Sequence, residues 1–433
     1  MRTRRDAALL AALILAMALT GCGGKERAEV LYLNGRPEQK EQWEALAREY
    51  TRQSGVPVRV ITESPGLKGA GLESRLAGLE PPTLFWVEGP MEMESWGKYC
   101  WDLSQSQLCR QLKSEDFTLR EEGRVLAVAY GIESYGLIYN REILRQYCRL
   151  EGAVIGDASE IRNFETLKAV AEDMQSRREE LGIQGAFASA GMEASSAWRF
   201  QSHLANLPLY YEYQDEGIYS ARQVQGSHLD NFRQIWDLYL HNSTVPPALI
   251  AARTGDDAAQ EFAQGQACFY QNGTWAYEQI SGGEVADEDI GMLPLYIGAE
   301  GEENQGLVTG SENYWCVNRQ ASAEEIQASL DFLEWVITSQ EGRRSLSQQM
   351  GLVTPFKTFG EEYTPDNPLV QAAEECIRSG RTSVGWCFTT MPSQRWKEEL
   401  GRAMLRYAQG IGSWPQVEEA FREGWAREYQ ARE

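Results

Sequence analysis

The sequence predicts an α/β protein with two domains, and three observations support this prediction. The chain has 433 residues, more than one hydrophobic core normally serves. Apolar residues make up 42% of it, which is enough to fill complete cores. Segments of strand character alternate with segments of helical periodicity in the order βαβαβ, which is typical of a parallel sheet with helices on its faces.

The first of these elements is a predicted strand at Val30–Leu33, followed by a helix from about Glu38. Four apolar side chains fall on one stripe of that helix: Trp43, Leu46, Ala47 and Tyr50. Gly55 ends the helix, because glycine accepts the backbone conformation that closes a helix. Strands at 56–60 and 83–87, with a helix at 69–79 between them, complete the βαβαβ order.

The alternation continues to the end of the chain. A strand pair is predicted at 124–140, a strand interrupted by Pro294 at 289–298, and a further strand at 314–318. The Gly- and Glu-rich segment 298–306 is expected to be a surface crossing or linker. Apolar periodicity predicts helices at 140–148, 163–181, 228–240, 323–342 and, after Ser413, at the C-terminus.

Residues 1–21 have the pattern of an export signal. Arg2, Arg4 and Arg5 precede an apolar run from Ala7 to Leu19, which is too short to span a membrane comfortably. The sequence Leu-Thr-Gly-Cys that follows resembles the bacterial lipobox, and this resemblance implies that Cys22 is diacylated and that residues 22–29 tether the protein to the lipid. An ordinary secretory signal with an unrelated cysteine is the alternative.

Charge and motif content narrow the function. The net charge of −22 repels nucleic acid and anionic lipid headgroups, so a neutral ligand fits best. The three histidines have no metal-ligand spacing, and the chain contains neither a phosphate-binding loop nor a nucleophile elbow. The seven cysteines after Cys22 include no CxxC pair, which argues against a complete disulfide framework and a zinc ribbon. Cys268 and Cys316 lie in apolar strand-like runs and are expected to be buried thiols, and a disulfide between Cys100 and Cys109 is an alternative for that pair. The sequence therefore predicts no metal and no cofactor, and gives no positive evidence of catalysis.

Aromatic and polar side chains recur together near the ends of predicted strands. Three such pairs are present: Trp86 with Glu88, Glu133 with Tyr135, and Asn272 with Trp275. Ligands of open α/β sheets bind where the strands end. A flat ring can cover the C–H face of a pyranose while an amide or carboxylate bonds to its hydroxyl groups, so these pairs indicate a sugar site.

Two longer stretches, GIESYGLIYNREIL and FAQGQACFYQNGTWAY, together with the lipobox, resemble the extracellular solute-binding proteins of bacterial ABC transporters, in the carbohydrate-uptake cluster. The similarity extends from Leu19 to about Tyr407. It implies a two-lobed periplasmic-binding-protein-like fold of type II, with a mainly parallel sheet in each lobe. Residues 30–131 and 298–350 are expected in the N-terminal lobe, and 132–297 and 351–433 in the C-terminal lobe. The chain is expected to cross between lobes near Gly131–Glu133, Leu295–Gly298 and Gly351–Pro355.

The resemblance also implies ligand-binding residues. Those at matching positions are Asn34, Arg36, Trp86, Glu88, Glu133, Tyr135, Asn272, Trp275 and Trp396. Trp198 and Arg199, in a stretch typical of a sub-group, are further candidates, and Arg199 could pair with an acidic sugar such as a uronate. Core packing is the alternative for each tryptophan. Trp396 in particular shares a helical stripe with Leu400.

The functional prediction is a lipid-anchored receptor that captures a sugar or oligosaccharide and delivers it to an ABC permease without chemical change. It is expected to be a monomer on the outer face of a Gram-positive cell membrane. Two alternatives remain open at this point. A cell-surface glycan hydrolase would need two carboxylates about 5–10 Å apart across a cleft. A ligand-sensing lipoprotein could not be distinguished from a transport receptor by sequence.

Overall fold

The computed structural model describes residues 28–63 and 72–431. Cys22 and the predicted signal lie outside the described residues. The described strands are β1 (Val30–Asn34), β2 (Val58–Thr62), β3 (Leu84–Val87), β4 (Thr118–Glu121), β5 (Arg124–Ala129), β6 (Glu133–Asn140), β7 (Gly185–Phe187), β8 (Ala267–Gly273), β9 (Ile290–Leu293), β10 (Gln305–Gly310), β11 (Tyr314–Val317) and β12 (Thr382–Gly385).

Helices cover both sheets. They are α1 (Lys40–Ser54), α2 (Leu72–Leu76), α3 (Pro90–Trp96), α4 (Gln107–Gln111), α5 (Arg141–Cys148), α6 (Phe164–Ser176), α7 (Arg178–Leu181), α8 (Asn206–Glu216), α9 (Leu229–His241), α10 (Gly255–Ala263), α11 (Tyr277–Ile280), α12 (Ala323–Thr338), α13 (Gln340–Arg344), α14 (Pro368–Arg378), α15 (Gln394–Ala408) and α16 (Trp414–Gln430). None of the described helices is both long and apolar enough to cross a bilayer.

The strands form two separate sheets, one in each lobe. The first has the order β2-β1-β3-β11-β5-β4, and the second has the order β12-β10-β6-β8-β7 with β9 also paired to β6. The two-lobed α/β prediction is therefore confirmed.

Both sheets are mixed, whereas mainly parallel sheets were expected. β1 pairs in parallel with β2 and β3, but β11 runs antiparallel to β3 and β5. In the second sheet β6 is antiparallel to β8, β9 and β10. The reason is the route of the chain: β11 enters the first sheet at Tyr314, opposite the last residues of β3 and β5, and so must run against them.

The predicted stripe of α1 is confirmed. Trp43, Leu46, Ala47 and Tyr50 are its buried residues, and Gly55 ends the helix in the left-handed conformation with φ 73°. The ring of Trp43 meets Trp315 of β11 edge-on, with the ring centres 5.9 Å apart. Apolar side chains of α12 complete this first core. The second, larger core lies among α6, α9, α15 and α16.

Within the described residues, the chain crosses between the sheets at three places. The first crossing, between Ala129 of β5 and Glu133 of β6, lies close to the expected position. The second lies between Gly310 of β10 and Tyr314 of β11, not near Leu295–Gly298. The segment before it stays with the second lobe because the buried Glu302 carboxylate accepts hydrogen bonds there, from the backbone N–H of Phe164 at 2.6 Å among others.

The third crossing also lies later than expected. Val353 pairs with Ile132 at the first crossing, and the side chains of Phe356 and Phe359 pack in the first core. The chain returns to the second lobe at α14, where the side chain of Leu369 packs in a core of that lobe. The chain therefore crosses between Phe359 and Pro368 rather than at Gly351–Pro355, since two apolar side chains hold the intervening segment against the first lobe.

Candidate functional site

A cavity of about 460 Å³ lies between the two lobes, within the range typical of small-molecule sites. The first lobe and the crossings contribute charged side chains: Arg36, Glu38, Glu88, Glu133 and Glu312. The second lobe contributes Trp198, Gln201, Ser202, His203, Trp275, Trp386, Phe388, Gln394 and Lys397. The two sides of the cleft thus differ in chemistry, with the rings on one side and most of the charge on the other.

Trp275 stands on a single 3-10 turn, Thr274–Ala276, directly after β8. Its ring lies against Gly273: a Cβ on this glycine would be 2.3 Å from two ring carbons, so no larger residue fits there without moving the indole. Asn272 accepts a hydrogen bond from the Gly273 N–H at 2.9 Å, and the Thr274 carbonyl accepts one from Asn367 at 3.0 Å. These contacts fix the turn and leave the indole half-buried and facing the cleft.

Trp275 belongs to a group of rings, here called the aromatic wall, that consists of Trp198, His203, Trp275, Trp386 and Phe388. Trp275 lies 6.0 Å from Trp198 and 6.4 Å from Trp386, measured between ring centres, and it is perpendicular to Trp386 at 88°. His203 stacks on Phe388 at 4.4 Å. Every ring of the wall comes from the second lobe, so a planar ligand meets several differently tilted apolar faces on that side.

The polar side of the cleft is organised around Arg36. Asn34 fixes its backbone, accepting from the Arg36 N–H at 3.0 Å and donating to the Arg36 carbonyl at 2.8 Å. The guanidinium donates to Asn313 Oδ1 at 2.9 Å and lies 3.4 Å from Glu133 Oε2. Asn313 in turn donates to Glu133 Oε2 at 3.1 Å. Since Glu133 and Asn313 belong to different crossings, this triad joins the first lobe to two hinge segments.

The electrostatics of Arg36 reflect these neighbours. Burial alone would lower its pKa, but the carboxylates of Glu133, Glu312 and Glu38 outweigh that effect and the pKa is raised. Arg36 therefore stays charged at any physiological pH. Its charge is shared with protein carboxylates, including Glu38 at 3.7 Å, before any ligand arrives.

Five of the eleven residues proposed from the sequence line the cleft: Arg36, Glu88, Glu133, Trp198 and Trp275. Three others support it from behind. Asn34 holds the Arg36 loop and Asn272 shapes the Trp275 turn, as described above. Tyr135, 1% exposed, donates its hydroxyl to the His203 carbonyl at 2.8 Å and so positions part of the aromatic wall.

Trp86 and Trp396 lie in hydrophobic interiors. Leu84 and Trp86 face one side of β3 and Phe85 the other, and the Trp86 side packs in the first core. The Trp86 N–H donates to the Glu312 carbonyl at 2.9 Å. Trp396 is fully buried, and its ring centre lies 5.1 Å from that of Trp425. For these two tryptophans the core-packing alternative is therefore correct, and the candidate tryptophans that line the cleft, Trp198 and Trp275, both come from the second lobe.

Arg199 lies inside the second lobe and does not line the cleft. It is 2% exposed, and its guanidinium carbon lies 5.4 Å from the Phe200 ring centre and 5.7 Å from that of Tyr270. Its Nε and Nη2 find no hydrogen-bond partner among the described residues, and burial lowers its pKa. The expected pairing of this arginine with an acidic sugar has no route through the described surface of the cleft.

Sequence reasoning did not select nine of the lining residues: Glu38, Gln201, Ser202, His203, Glu312, Trp386, Phe388, Gln394 and Lys397. Trp386 could have been found, because it follows β12 directly just as Trp275 closely follows β8. Gln201, Ser202 and His203 lie on a π-helical turn, Arg199–Leu204, for which no sequence pattern was apparent. Glu312 lies on the second crossing, which was expected elsewhere.

The two lobes and the crossings that join them enclose a cleft whose volume suits a small-molecule ligand. A family model described as bacterial extracellular solute-binding protein matches residues 45–375, so the chain belongs to that family. The resemblance noted in the sequence is confirmed at this level. No curated protein sequence matches the chain significantly.

Solved structures agree on the fold. The ligand-free RafE protein of Streptococcus pneumoniae is similar at a TM-score of 0.70 and 15% identity, over 94% of this chain and 99% of that one. A chitin oligosaccharide binding protein is similar at a TM-score of 0.68 and 15% identity, over 94% of this chain and 100% of that one. An open form of a putative binding protein from Bacillus subtilis is similar at a TM-score of 0.69 and 14% identity, over 93% of this chain and 98% of that one. At these identities the likeness shows the fold alone.

Proposed function

We propose that the protein captures a sugar or oligosaccharide between its lobes and delivers it unchanged to the permease of an ABC importer. The observation that carries the proposal is the position of Trp275, half-buried, held by its turn and facing the cleft among the other rings of the aromatic wall. An indole face covers the C–H face of a pyranose, and amide or carboxylate oxygens accept its hydroxyl protons. Glu88, Glu133 and Gln201 supply such oxygens in the same cavity.

The names of structural neighbours point the same way. RafE has been solved in complex with raffinose, another neighbour is a chitin oligosaccharide binding protein, and a third, AcbH, is described as preferring β-D-galactopyranose. The sugars named here are ligands of the neighbouring proteins and do not identify the ligand of this chain. They support a carbohydrate for this chain because its cleft has its own stacking surface.

Because the rings lie on the second lobe and most of the charged side chains lie on the other side of the cleft, the two lobes would contact a sugar one after the other. A sugar would first stack on the aromatic wall of the second lobe, and the first lobe would then close and add polar contacts from Arg36 and Glu88. A ligand that contacts both lobes stabilises the closed form, because it gains interactions there that the open form lacks. The Arg36–Asn313–Glu133 triad lies at the pivot and would couple the two states.

The location we propose is the outer face of the cell membrane, with the protein monomeric and tethered through a diacylated Cys22. Its support is the sequence: a basic start, a short apolar run and the lipobox-like Leu-Thr-Gly-Cys. Capture and release of a sugar need no cofactor. Mass spectrometry of the protein from a bacterial membrane fraction tests the tether: the expected N-terminal residue is lipid-modified Cys22, and a processed protein without lipid would contradict it.

The ligand proposal is tested by a thermal-shift screen of the full-length protein against mono- and oligosaccharides. A ligand that binds only the folded state raises the unfolding temperature. Trp275→Ala should greatly reduce the shift measured at the same saccharide concentration. Trp101→Ala is the matched control, because Trp101 is 42% exposed and does not line the cleft. A Trp275→Ala protein that responds like the wild type would contradict the proposed site.

A further inference from the structure

The two lobes touch each other at the rim of the cleft, away from the crossings. On the first lobe the contact is made by Gly89, directly before α3, and by Met91 in the first turn of that helix. On the second lobe it is made by Thr389, in the 3-10 turn Cys387–Thr390, and by Tyr429 near the end of α16. These four residues are here called the rim contact.

Two distances show how closely the lobes approach at the rim contact. A Cβ on Gly89 would lie 3.0 Å from the Thr389 Cβ and 3.4 Å from its Cγ2, closer than carbon atoms normally pack. The Tyr429 hydroxyl donates to the Met91 Sδ at 3.3 Å. The backbone of Gly89 is extended, so glycine is needed here for space and not for an unusual conformation. A larger side chain at this position would require the lobes to move apart.

Both sides of the rim contact are anchored to their own lobes. On the first lobe, the Glu92 carboxylate accepts a hydrogen bond from the Glu88 N–H at 2.6 Å and ties this loop to α3. On the second lobe, the buried Asn206 side chain accepts from the Phe388 N–H at 2.8 Å and donates to the Gly385 carbonyl at 3.1 Å. Because each segment is held to its lobe, added bulk at the rim would move one lobe relative to the other.

The rim contact adjoins residues that line the cleft. Glu88 directly precedes Gly89, and Trp386 and Phe388 belong to the same short segment as Thr389. The separation of the lobes at the rim therefore sets how far apart the two sides of the cleft lie at this edge. A rim that cannot close would leave the cleft wider there, whatever the side chains inside it.

We propose that Gly89 and Thr389 are positioning residues for ligand capture: their contact limits how far the lobes close and, with the Tyr429–Met91 hydrogen bond, stabilises the closed form. They act on a ligand through the spacing of the lobes and not by touching it. A closed form with contacts of its own needs less differential affinity from the ligand to become populated. The inference rests on the proposed function only for what is captured, because the rim contact itself requires no ligand.

The first test is an interlobe disulfide in the full-length protein. Gly89→Cys with Thr389→Cys places two Cβ atoms 3.0 Å apart, so a small separation of the lobes reaches the spacing of about 3.5–4.5 Å that a disulfide needs. The control is Gly89→Cys with Ser413→Cys, because Ser413 lies at the other end of α16, about 24 Å from Tyr429 at about 1.5 Å per residue. After treatment with oxidised glutathione, mass spectrometry of peptides should find an interlobe disulfide in the first pair and none in the control.

The second test widens the rim. Gly89→Leu should hold the lobes apart and raise the radius of gyration measured by small-angle X-ray scattering. Gly156→Leu, the same change at an exposed glycine of the second lobe outside the cleft, should leave it unchanged. Stopped-flow measurements with the saccharide that gives the largest thermal shift should show dissociation at least about tenfold faster in Gly89→Leu, with association nearly unchanged. Unfolding curves confirm that each variant is folded.

The outcomes separate this inference from the proposed function. A first pair that forms no interlobe disulfide, or a control pair that forms one as readily, would overturn the rim contact. An unchanged radius of gyration in folded Gly89→Leu would overturn the limit on closure, and an unchanged dissociation rate would overturn the role in capture. If no saccharide in the screen shifts the unfolding temperature, sugar capture fails, while the disulfide and the scattering still decide whether the rim contact holds the lobes together.

Discussion

Trp275 and Trp396 were both candidate ligand residues in the sequence, and the structure places them in opposite environments. Trp396 is fully buried and its N–H donates to the Phe421 carbonyl at 3.0 Å. Trp396→Ala should therefore leave a closed cavity and an unpaired carbonyl, and lower the free energy of unfolding by about 3–5 kcal/mol. Trp275→Ala opens onto solvent rather than creating a closed cavity, and should cost about 1–2 kcal/mol.

The effects on ligand affinity should have the reverse order, with Trp275→Ala weakening binding more than Trp396→Ala. Removing the half-exposed Trp275 face deletes an apolar contact worth about 2 kcal/mol, which weakens a bound sugar about 30-fold. Trp396→Ala should leave the affinity of the folded fraction within about threefold of the wild type, because the side chain does not line the cleft.

The assay is urea unfolding followed by circular dichroism, with titration calorimetry on each folded variant. The two lobes can unfold separately, so each transition is fitted on its own. Equal stability losses in the two variants would refute the placement of one ring in the core and the other in the cleft. A Trp396→Ala protein that keeps its stability and loses its ligand would refute it as directly.

Three further predictions concern other parts of the cleft. Gly273→Ala should displace the Trp275 indole, because the new Cβ would lie 2.3 Å from two of its ring carbons. Saccharide affinity should then fall at least about tenfold, while the helix content measured by circular dichroism stays unchanged. An unchanged affinity would contradict the contact between Gly273 and the indole. Asn313→Ala removes the side-chain amide that joins Arg36 to Glu133 at the crossings. Calorimetry should show that the affinity for the saccharide is about tenfold lower. An unaltered affinity would show that the Arg36–Asn313–Glu133 triad does not govern closure of the lobes. Cys387 is half-buried, and its partial removal from water raises the pKa of its thiol to about 12. Iodoacetamide at pH 8 should therefore label it slowly in the native protein and rapidly in urea, and mass spectrometry that finds equal rates would contradict the raised pKa.

Local patterns in the sequence were sufficient for the first elements of the fold. The stripe of α1 is a property of spacing alone, and Gly55 ends the helix because its φ of 73° suits glycine. The crossings could not be placed in the same way. β10 pairs with β6 of the second lobe, and such a pairing depends on contacts between segments that are distant in the sequence.

The candidate site shows the same limit. Trp86 and Trp275 have a similar local signal, an aromatic residue near the end of a strand beside a polar one. Trp86 is inside β3, where alternation turns it to the face of the sheet that α1 and α12 cover. Trp275 lies two residues beyond β8, where the chain has left the sheet. One or two residues along the chain therefore decide between core and cleft, and strand ends predicted from sequence alone are not accurate to that distance.

The most direct test of the account is a crystal structure of the protein with a saccharide that raises its unfolding temperature. We predict one pyranose ring stacked on the Trp275 indole, polar contacts from Arg36 or Glu88 of the first lobe, and lobes closed around the sugar. A saccharide bound elsewhere, or held in the cleft without contact to the aromatic wall, would contradict the account.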